Sequence, residues 1–155
     1  MVAFRRLPHR GFTIIEILVV VAILAMLASV AVIQLLRARI TTNEQLGLNS
    51  MRTVMKASQF YFIIQQRYPP DLTALGLPAS NPPYIQPDLI GNGSTVAKQG
   101  YVFTYTQVGG GSGFTLLADP QTAGTTGTRH FYVDQGGVIH QDPSGPADPT
   151  DPSVP

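Results

Sequence analysis

The feature that most constrains the fold is a run of 20 residues without a charged side chain, from Ile17 to Leu36. As an α-helix this run would be about 30 Å long, the thickness of the hydrocarbon core of a bilayer. A small domain rarely buries an apolar helix of this length on all sides. The sequence therefore predicts a helix that spans a membrane or packs among other apolar helices.

A short basic segment, MVAFRRLPHRG, precedes this run and holds three of the ten basic residues. A basic flank favours the cytoplasm, so residues 1–11 are expected inside and the rest of the chain outside, although Arg37 and Arg39 weaken this bias. Without residues 1–11 the chain keeps seven basic and nine acidic side chains, a net charge of −2. The bulk charge therefore indicates no nucleic-acid partner.

Glu16 lies near the start of the apolar segment, between Ile15 and Ile17. A carboxylate within a membrane helix costs about 2–3 kcal/mol near the centre and less near an end. A secretory signal peptide with a cleavage site at residues 29–31, or a plain membrane anchor, gains nothing from this residue. Because a buried charge is tolerated when it is paired, Glu16 predicts a cationic partner inside the apolar layer.

The segment Gly11-Phe12-Thr13-Ile14-Ile15-Glu16, behind a basic leader and ahead of an apolar helix, resembles the type III signal of type IV prepilins and pseudopilins. This resemblance implies that a prepilin peptidase cuts between Gly11 and Phe12 and methylates the new N-terminal amine. It also implies that Glu16 neutralises the N-terminal amine of a neighbouring copy during filament assembly. Many type IV pilins carry a glycine and a proline in this helix, whereas this chain has Ala25 and Ile33 there. We therefore expect a helix without a proline kink.

The helix is predicted to run from Thr13 to Gln66, because beyond Arg39 apolar residues recur at three- and four-residue spacing and define one buried stripe: Leu48, Met51, Val54, Met55, Tyr61 and Phe62. The prolines that follow at positions 69 and 70 end it. A helical turn from Asp71 to Leu75, ended by Gly76, is expected within a long loop over residues 67–100.

Four strands are predicted at residues 101–106, 114–118, 129–133 and 138–140. We expect Tyr101, Phe103 and Tyr105 to face the helix, because they alternate with smaller residues. The predicted fold class is α+β: a long N-terminal helix, membrane-spanning in its first half, whose second half packs against a small antiparallel sheet. This agrees with the pilin-like head that the resemblance implies.

The chain is expected to divide into five segments. Residues 1–11 form the leader, 12–36 the transmembrane and filament-core half of the helix, and 37–66 its amphipathic half. Residues 67–141 form the head. Residues 142–155 have a proline at every third position and are expected to be a flexible, solvated tail, with a partner-binding strip as the alternative.

No residues in the sequence form a convincing catalytic or cofactor motif. The chain has no cysteine, which excludes thiolate ligands and nucleophiles. Two histidines and two carboxylates could cluster across a hairpin and bind a metal such as zinc (His130, Asp134, His140 and Asp142), but solvent-facing positions on surface strands explain them more simply. A calcium site near these aspartates, as in some pseudopilins, stays open. We predict no enzyme, no cofactor and no metal.

The predicted function is that of a structural subunit of a type IV pilus-like filament. The alternative is a major pseudopilin of a type II secretion system, and a more remote one is a monomeric membrane-anchored binding domain. The implied partners are other copies of the chain, prepilin peptidase, an inner-membrane assembly platform and, before assembly, lipid. The implied location is the bacterial inner membrane, as a single pass with a cytoplasmic N-terminus, and later a periplasmic or cell-surface filament.

Overall fold

The computed structural model describes residues 11–154, with the backbone alone for residues 30 and 31. A single long helix, α1 (Ile14–Gln65), precedes a five-stranded antiparallel sheet. The α+β class predicted from the sequence is confirmed. The chain divides into two compact units, Met1–Arg37 and Ala38–Pro155. The boundary falls beside the predicted change from an all-apolar to a striped helix.

The first unit contains the apolar start of α1. Its described large apolar side chains are between 43% and 88% exposed, from Leu36 to Ile14. The helix passes Ala25 and Ile33 without interruption, as predicted, and its bounds differ from the predicted ones by one residue at each end. By length and composition alone, α1 is the one helix among residues 11–154 that could cross a membrane, a test that a signal sequence also passes.

The second unit contains a sheet whose neighbouring strands all pair in chain order. The strands are β1 (Thr95–Lys98), β2 (Tyr101–Val108), β3 (Gly113–Pro120), β4 (His130–Asp134) and β5 (Ile139–Asp142). Strands β2 to β5 match the four predicted runs, but β1 lies in the segment interpreted as loop. Only Val96 of β1 is buried, so it has no alternating pattern. The two-residue turn Gln99-Gly100, with φ of 54° and 79°, pairs it to β2.

The core lies between the sheet and the second half of α1. Tyr101, Phe103 and Tyr105 are fully or almost fully buried, as predicted, in one cluster with Leu48, Met51 and Val54 of the helix. The Tyr101 ring lies against Gly47, where an added Cβ would be 3.4 Å from the nearest ring atom. The absence of a side chain at position 47 therefore lets an aromatic ring of the sheet lie close to the helix backbone.

The connection from α1 to the sheet contains the helical turn expected there. A 3₁₀ helix (Leu72–Leu75) begins after Asp71, whose side chain accepts from the backbone N–H groups of Thr73 and Ala74. The helix ends at Gly76, which has extended backbone rather than the left-handed conformation typical of a glycine cap. An added Cβ at this position would lie 2.1 Å from Ile90 Cδ1, so any other residue would require the Ile90 side chain to move.

The segment after Asp142 differs from the flexible tail expected from the sequence. It returns to β5, where Gln141 N–H donates to Pro152 O at 3.0 Å and Val154 N–H donates to Ile139 O at 2.7 Å. Local turns explain this return: the Asp142 and Asp148 carboxylates each accept from the backbone N–H two residues later. Proline spacing alone favoured an extended chain, whereas these turns fold it back onto the sheet edge.

Candidate assembly site

The three residues that the prepilin resemblance singles out lie at the start of α1: Gly11 and Phe12 just before the helix, and Glu16 in its first turn. Thr13 precedes the helix, and its Oγ1 accepts the Glu16 backbone N–H at 3.2 Å. Thr13 and Glu16 have the spacing of a capping box, and a carboxylate in the first turn is favoured by the helix dipole. Thr13 therefore fixes where the helix begins and holds Glu16 in its first turn. This role was not predicted, although the Thr-x-x-Glu spacing is present in the sequence.

Gly11, Phe12 and Glu16 all lie at the surface of the described chain. Phe12 is 79% exposed. Within residues 11–154, no side chain lies at hydrogen-bonding or ion-pair distance from the Glu16 carboxylate. An added Cβ at Gly11 would meet nothing within 4 Å, so packing does not require a glycine there. The basic residues of the predicted leader, Arg5, Arg6 and Arg10, lie outside the described residues.

The comparison with protein families matches this same segment. A family model described as the prokaryotic N-terminal methylation motif matches residues 6–32. Neither a curated protein nor a solved structure matches the chain. The match includes Gly11, Phe12 and Glu16 and most of the uncharged run.

The methylation motif lies at the start of a long apolar helix, and an α+β head follows that helix. More particularly, the chain carries the prepilin signal that type IV pilins and type II secretion pseudopilins share. These are structural subunits rather than enzymes, and the exposed apolar helix is consistent with membrane anchoring.

A buried carboxylate ties the second half of α1 to the loop before β4. Glu44 is only 5% exposed, and its Oε1 accepts from Thr128 N–H at 2.9 Å and from the Thr128 hydroxyl at 2.7 Å. Its Oε2 accepts from Arg129. Burial by itself would raise the pKa of Glu44, but the hydrogen bonds from Thr128 and Arg129 outweigh it and lower the pKa. These hydrogen bonds keep the Glu44 carboxylate ionised and hold the second half of α1 against the loop before β4.

The histidines and aspartates considered as metal ligands do not form one cluster. His130 and Asp142 are opposite each other in the β4–β5 pairing, but His130 Nδ1 lies 2.6 Å from Asp119 Oδ1. His140 Nδ1 lies 2.6 Å from a backbone oxygen, that of Asp151. In the described part of the chain, no group of three or more His, Asp or Glu residues could hold a metal ion.

Proposed function

We propose that the chain is the precursor of a structural subunit of a type IV pilus-like filament. The observation that carries this proposal is the Glu16 carboxylate, which lies in the first turn of an exposed apolar helix inside the methylation motif. Prepilin peptidase cuts between Gly11 and Phe12 and methylates the Phe12 amine. Glu16 then pairs with the Phe12 amine of a neighbouring copy.

The pairing has a physical basis in the surroundings of Glu16. A methylated amine keeps its positive charge, so the pair is neutral overall. Opposite charges attract strongly where water is excluded, whereas a lone carboxylate there is costly. Since the amine lies at one position along an otherwise uncharged helix, the pair favours one axial offset between copies. The same carboxylate therefore promotes assembly and sets the register.

The proposed life of the molecule has two stages. Lipid first covers residues 12–36 while the chain is a single-pass protein of the inner membrane, with residues 1–11 in the cytoplasm. An inner-membrane assembly platform then moves the processed chain into a filament, where other copies replace lipid. Residues 37–66 support a head made of residues 67–141, which lies in the periplasm or at the cell surface. No enzymatic reaction and no nucleic-acid contact is proposed.

A major pseudopilin of a type II secretion system is the second candidate. The motif serves both kinds of filament. Many pilins close the C-terminal end of the head with a disulfide, whereas this head holds Val154 to Ile139 by a backbone hydrogen bond. That feature favours the pseudopilin slightly. Adjacent genes for an outer-membrane secretin and further pseudopilins would favour the pseudopilin of a secretion system over the pilin.

The intact mass of the protein purified from its own cells tests the proposal. We expect a chain that starts at Phe12 and carries one additional methyl group on its amine. A chain that keeps residues 1–11, or one that begins near Val32 after cleavage by signal peptidase, would contradict the prepilin assignment. A chain that keeps residues 1–11 would favour the monomeric membrane-anchored domain, whereas one that begins near Val32 would have lost the apolar segment that anchors it.

A further inference from the structure

The turn before β1 contains Asn92-Gly93-Ser94, the only Asn-x-Ser/Thr triplet in the chain. The other three asparagines lack a hydroxyl residue two positions later: Asn43, Asn49 and Asn81. Such a triplet is the acceptor signal for attachment of an oligosaccharide to the asparagine amide, and it is used where the asparagine lies at the surface. Because short triplets also occur by chance, the surrounding structure decides whether this one can serve as an acceptor.

The two outer residues of the triplet lie at the surface of the head. Asn92 and Ser94 are exposed, while Gly93 between them is buried. Gly93 has a φ of 97°, which favours glycine, and its carbonyl oxygen accepts the Leu72 N–H at 2.9 Å. The middle of the triplet is therefore fixed to the head, and the side chains on either side of it are open to solvent.

Hydrogen bonds hold this turn in one conformation. Asn92 N–H donates to Thr95 O at 3.1 Å, and Thr95 N–H donates back to Asn92 Oδ1 at 2.8 Å. The Thr95 hydroxyl donates to the same Oδ1 at 3.0 Å. Tyr105 N–H of β2 donates to Ser94 O at 2.8 Å, which joins the turn to the sheet. The triplet is thus presented by an ordered turn.

The atoms that a glycosylating enzyme needs are left available. The Asn92 amide uses only its oxygen within the turn, and among residues 11–154 no group accepts a hydrogen bond from its Nδ2. The Ser94 hydroxyl likewise has no hydrogen-bond partner in this part of the chain. An enzyme can therefore bind the nitrogen and the hydroxyl without breaking a hydrogen bond of the head.

We propose that Asn92 is the attachment site of an N-linked oligosaccharide. The donor is a sugar chain carried on a lipid pyrophosphate, and the catalyst is a membrane oligosaccharyltransferase that acts outside the cytoplasm. This inference rests on the proposed function in one respect, namely that the head is exported across the inner membrane. It is independent of the cleavage after Gly11 and of the pairing of Glu16.

The transfer balances in bonds and protons. Asn92 Nδ2 attacks the anomeric carbon of the first sugar, so that a C–N bond forms while the bond from this carbon to the pyrophosphate oxygen breaks. One Nδ2 proton passes to a base of the transferase, and the lipid pyrophosphate leaves with the electron pair. No oxidant or reductant is needed. The two donors from Thr95 assist, since they stabilise the negative charge that moves to Oδ1 as Nδ2 loses its proton.

A competing reaction of an Asn-Gly pair is deamidation, in which the glycine nitrogen attacks the asparagine side chain. The Gly93 nitrogen donates to Ile90 O at 3.1 Å, and Gly93 O accepts from Leu72. Both hydrogen bonds restrain Gly93 against the rotation that this ring closure requires. The turn therefore favours reaction at Asn92 Nδ2 over attack by the Gly93 nitrogen.

Peptide mass spectrometry of the protein purified from its own cells tests the proposal. Trypsin releases residues 68–98 as one peptide, because no lysine or arginine lies between Arg67 and Lys98. We expect this peptide to carry the mass of a sugar chain, which electron-transfer fragmentation places on Asn92. Asn81 lies in the same peptide and is the internal control. A peptide that is unmodified, deamidated at Asn92 or glycosylated at any other residue would overturn the inference.

Two serine variants test the triplet without a change to the acceptor. Ser94→Ala removes a hydroxyl that has no partner among the described residues, so it should abolish the sugar and leave the head folded. Ser94→Thr keeps a hydroxyl at this position and should keep the sugar. Circular dichroism of both variants checks that the head is folded. Full modification of Ser94→Ala, or loss of the sugar from folded Ser94→Thr, would contradict the inference.

The mass of the N-terminal peptide, measured on the same sample, separates this inference from the proposed function. A chain that starts at Phe12 and has an unmodified Asn92 would overturn the inference and leave the proposed function standing. A chain that keeps residues 1–11 and carries the sugar would overturn the proposed function and leave the inference standing. A chain that keeps residues 1–11 and lacks the sugar would overturn both.

Discussion

Arg129 Nε donates to Glu44 Oε2 at 2.9 Å, and Arg129 Nη2 lies 2.8 Å from the same oxygen as an ion pair. The two residues are 85 positions apart in the chain. The other carboxylate oxygen accepts two hydrogen bonds from Thr128. A chain without cysteine thus joins its helix to the loop before β4 by an ion pair whose carboxylate is buried and accepts hydrogen bonds at both oxygens.

Replacement of this carboxylate should destabilise the head. Glu44→Gln is expected to lower the free energy of unfolding by about 2–4 kcal/mol at neutral pH, because it leaves Arg129 without its counter-charge. Thermal unfolding of the chain in detergent measures the effect. Glu16→Gln, which removes a carboxylate outside the head, is the control and should leave the transition unchanged. Equal stability of Glu44→Gln and the natural chain would show that the pair contributes nothing.

The same carboxylate predicts a pH dependence. The pKa of Glu44 is lowered in the folded head, so its contribution is fully present above the pKa of the unfolded chain. That contribution is lost as the pH falls through the lowered folded pKa. The difference in stability between the natural chain and Glu44→Gln should therefore shrink below about pH 4. A difference that stays constant down to pH 2 would assign it to packing rather than to charge.

Gly47 should tolerate one added carbon but not three. Gly47→Ala places Cβ at ordinary contact distance from the Tyr101 ring and removes a glycine from a helix, so we expect a gain in stability of up to about 1 kcal/mol. Gly47→Val adds two methyl groups towards the ring and should destabilise the head by about 1–3 kcal/mol. Denaturant unfolding of both variants checks the order. The reverse order would mean that the helix and the ring are not in close contact.

The C-terminal segment should protect one particular amide. Gln141 N–H donates to Pro152 O, so it should exchange slowly with solvent in the intact chain. Truncation after Asp142 should accelerate its exchange at least about tenfold, while the Phe103 amide in the central part of the sheet changes much less. Hydrogen exchange followed by mass spectrometry measures both. Fast exchange at Gln141 in the intact chain would support the solvated tail that the sequence suggested.

Gly11 should matter for processing and not for folding. An added side chain there meets nothing within 4 Å, so Gly11→Val is expected to leave the head as stable as before. By the resemblance to prepilins, the peptidase should fail to cut this variant, which would stay in the membrane with residues 1–11 attached. Intact mass measures cleavage, and Gly145→Val, at another open position, is the control. Normal cleavage of Gly11→Val would argue against the proposed cleavage site.

The parts of the fold that could be predicted from the sequence are those that depend on residues close together in the chain. The uncharged run and the stripe after Arg39 predicted α1 to within one residue at each end, because helical periodicity is local. Alternation predicted the buried face of β2. The pairing of Glu44 with Arg129 could not be predicted, since nothing local links residues 85 positions apart. Strand β1 was missed because only one of its side chains is buried.

The candidate site was found from the sequence because its signal is short and contiguous. Gly11, Phe12 and Glu16 lie within six positions, and the motif match covers all three. The exposure of Phe60, Ile63 and Ile64 was not predicted, because these residues lie among core residues of similar type. Only the packing of Tyr61 and Phe62 shows which apolar residues point inward.

The pairing of Glu16 with the amine of a neighbouring copy is the claim on which the proposed function depends. The yield of sheared filaments from cells that make Glu16→Gln tests it most directly. Glutamine has the same size but no charge, so the variant should be processed and inserted in the membrane like the natural chain. Glu16→Asp keeps the charge on a shorter side chain and should assemble better than Glu16→Gln. We predict at least about a tenfold loss of filaments for Glu16→Gln, the effect of one lost charge pair. A normal yield from fully processed Glu16→Gln would contradict the account.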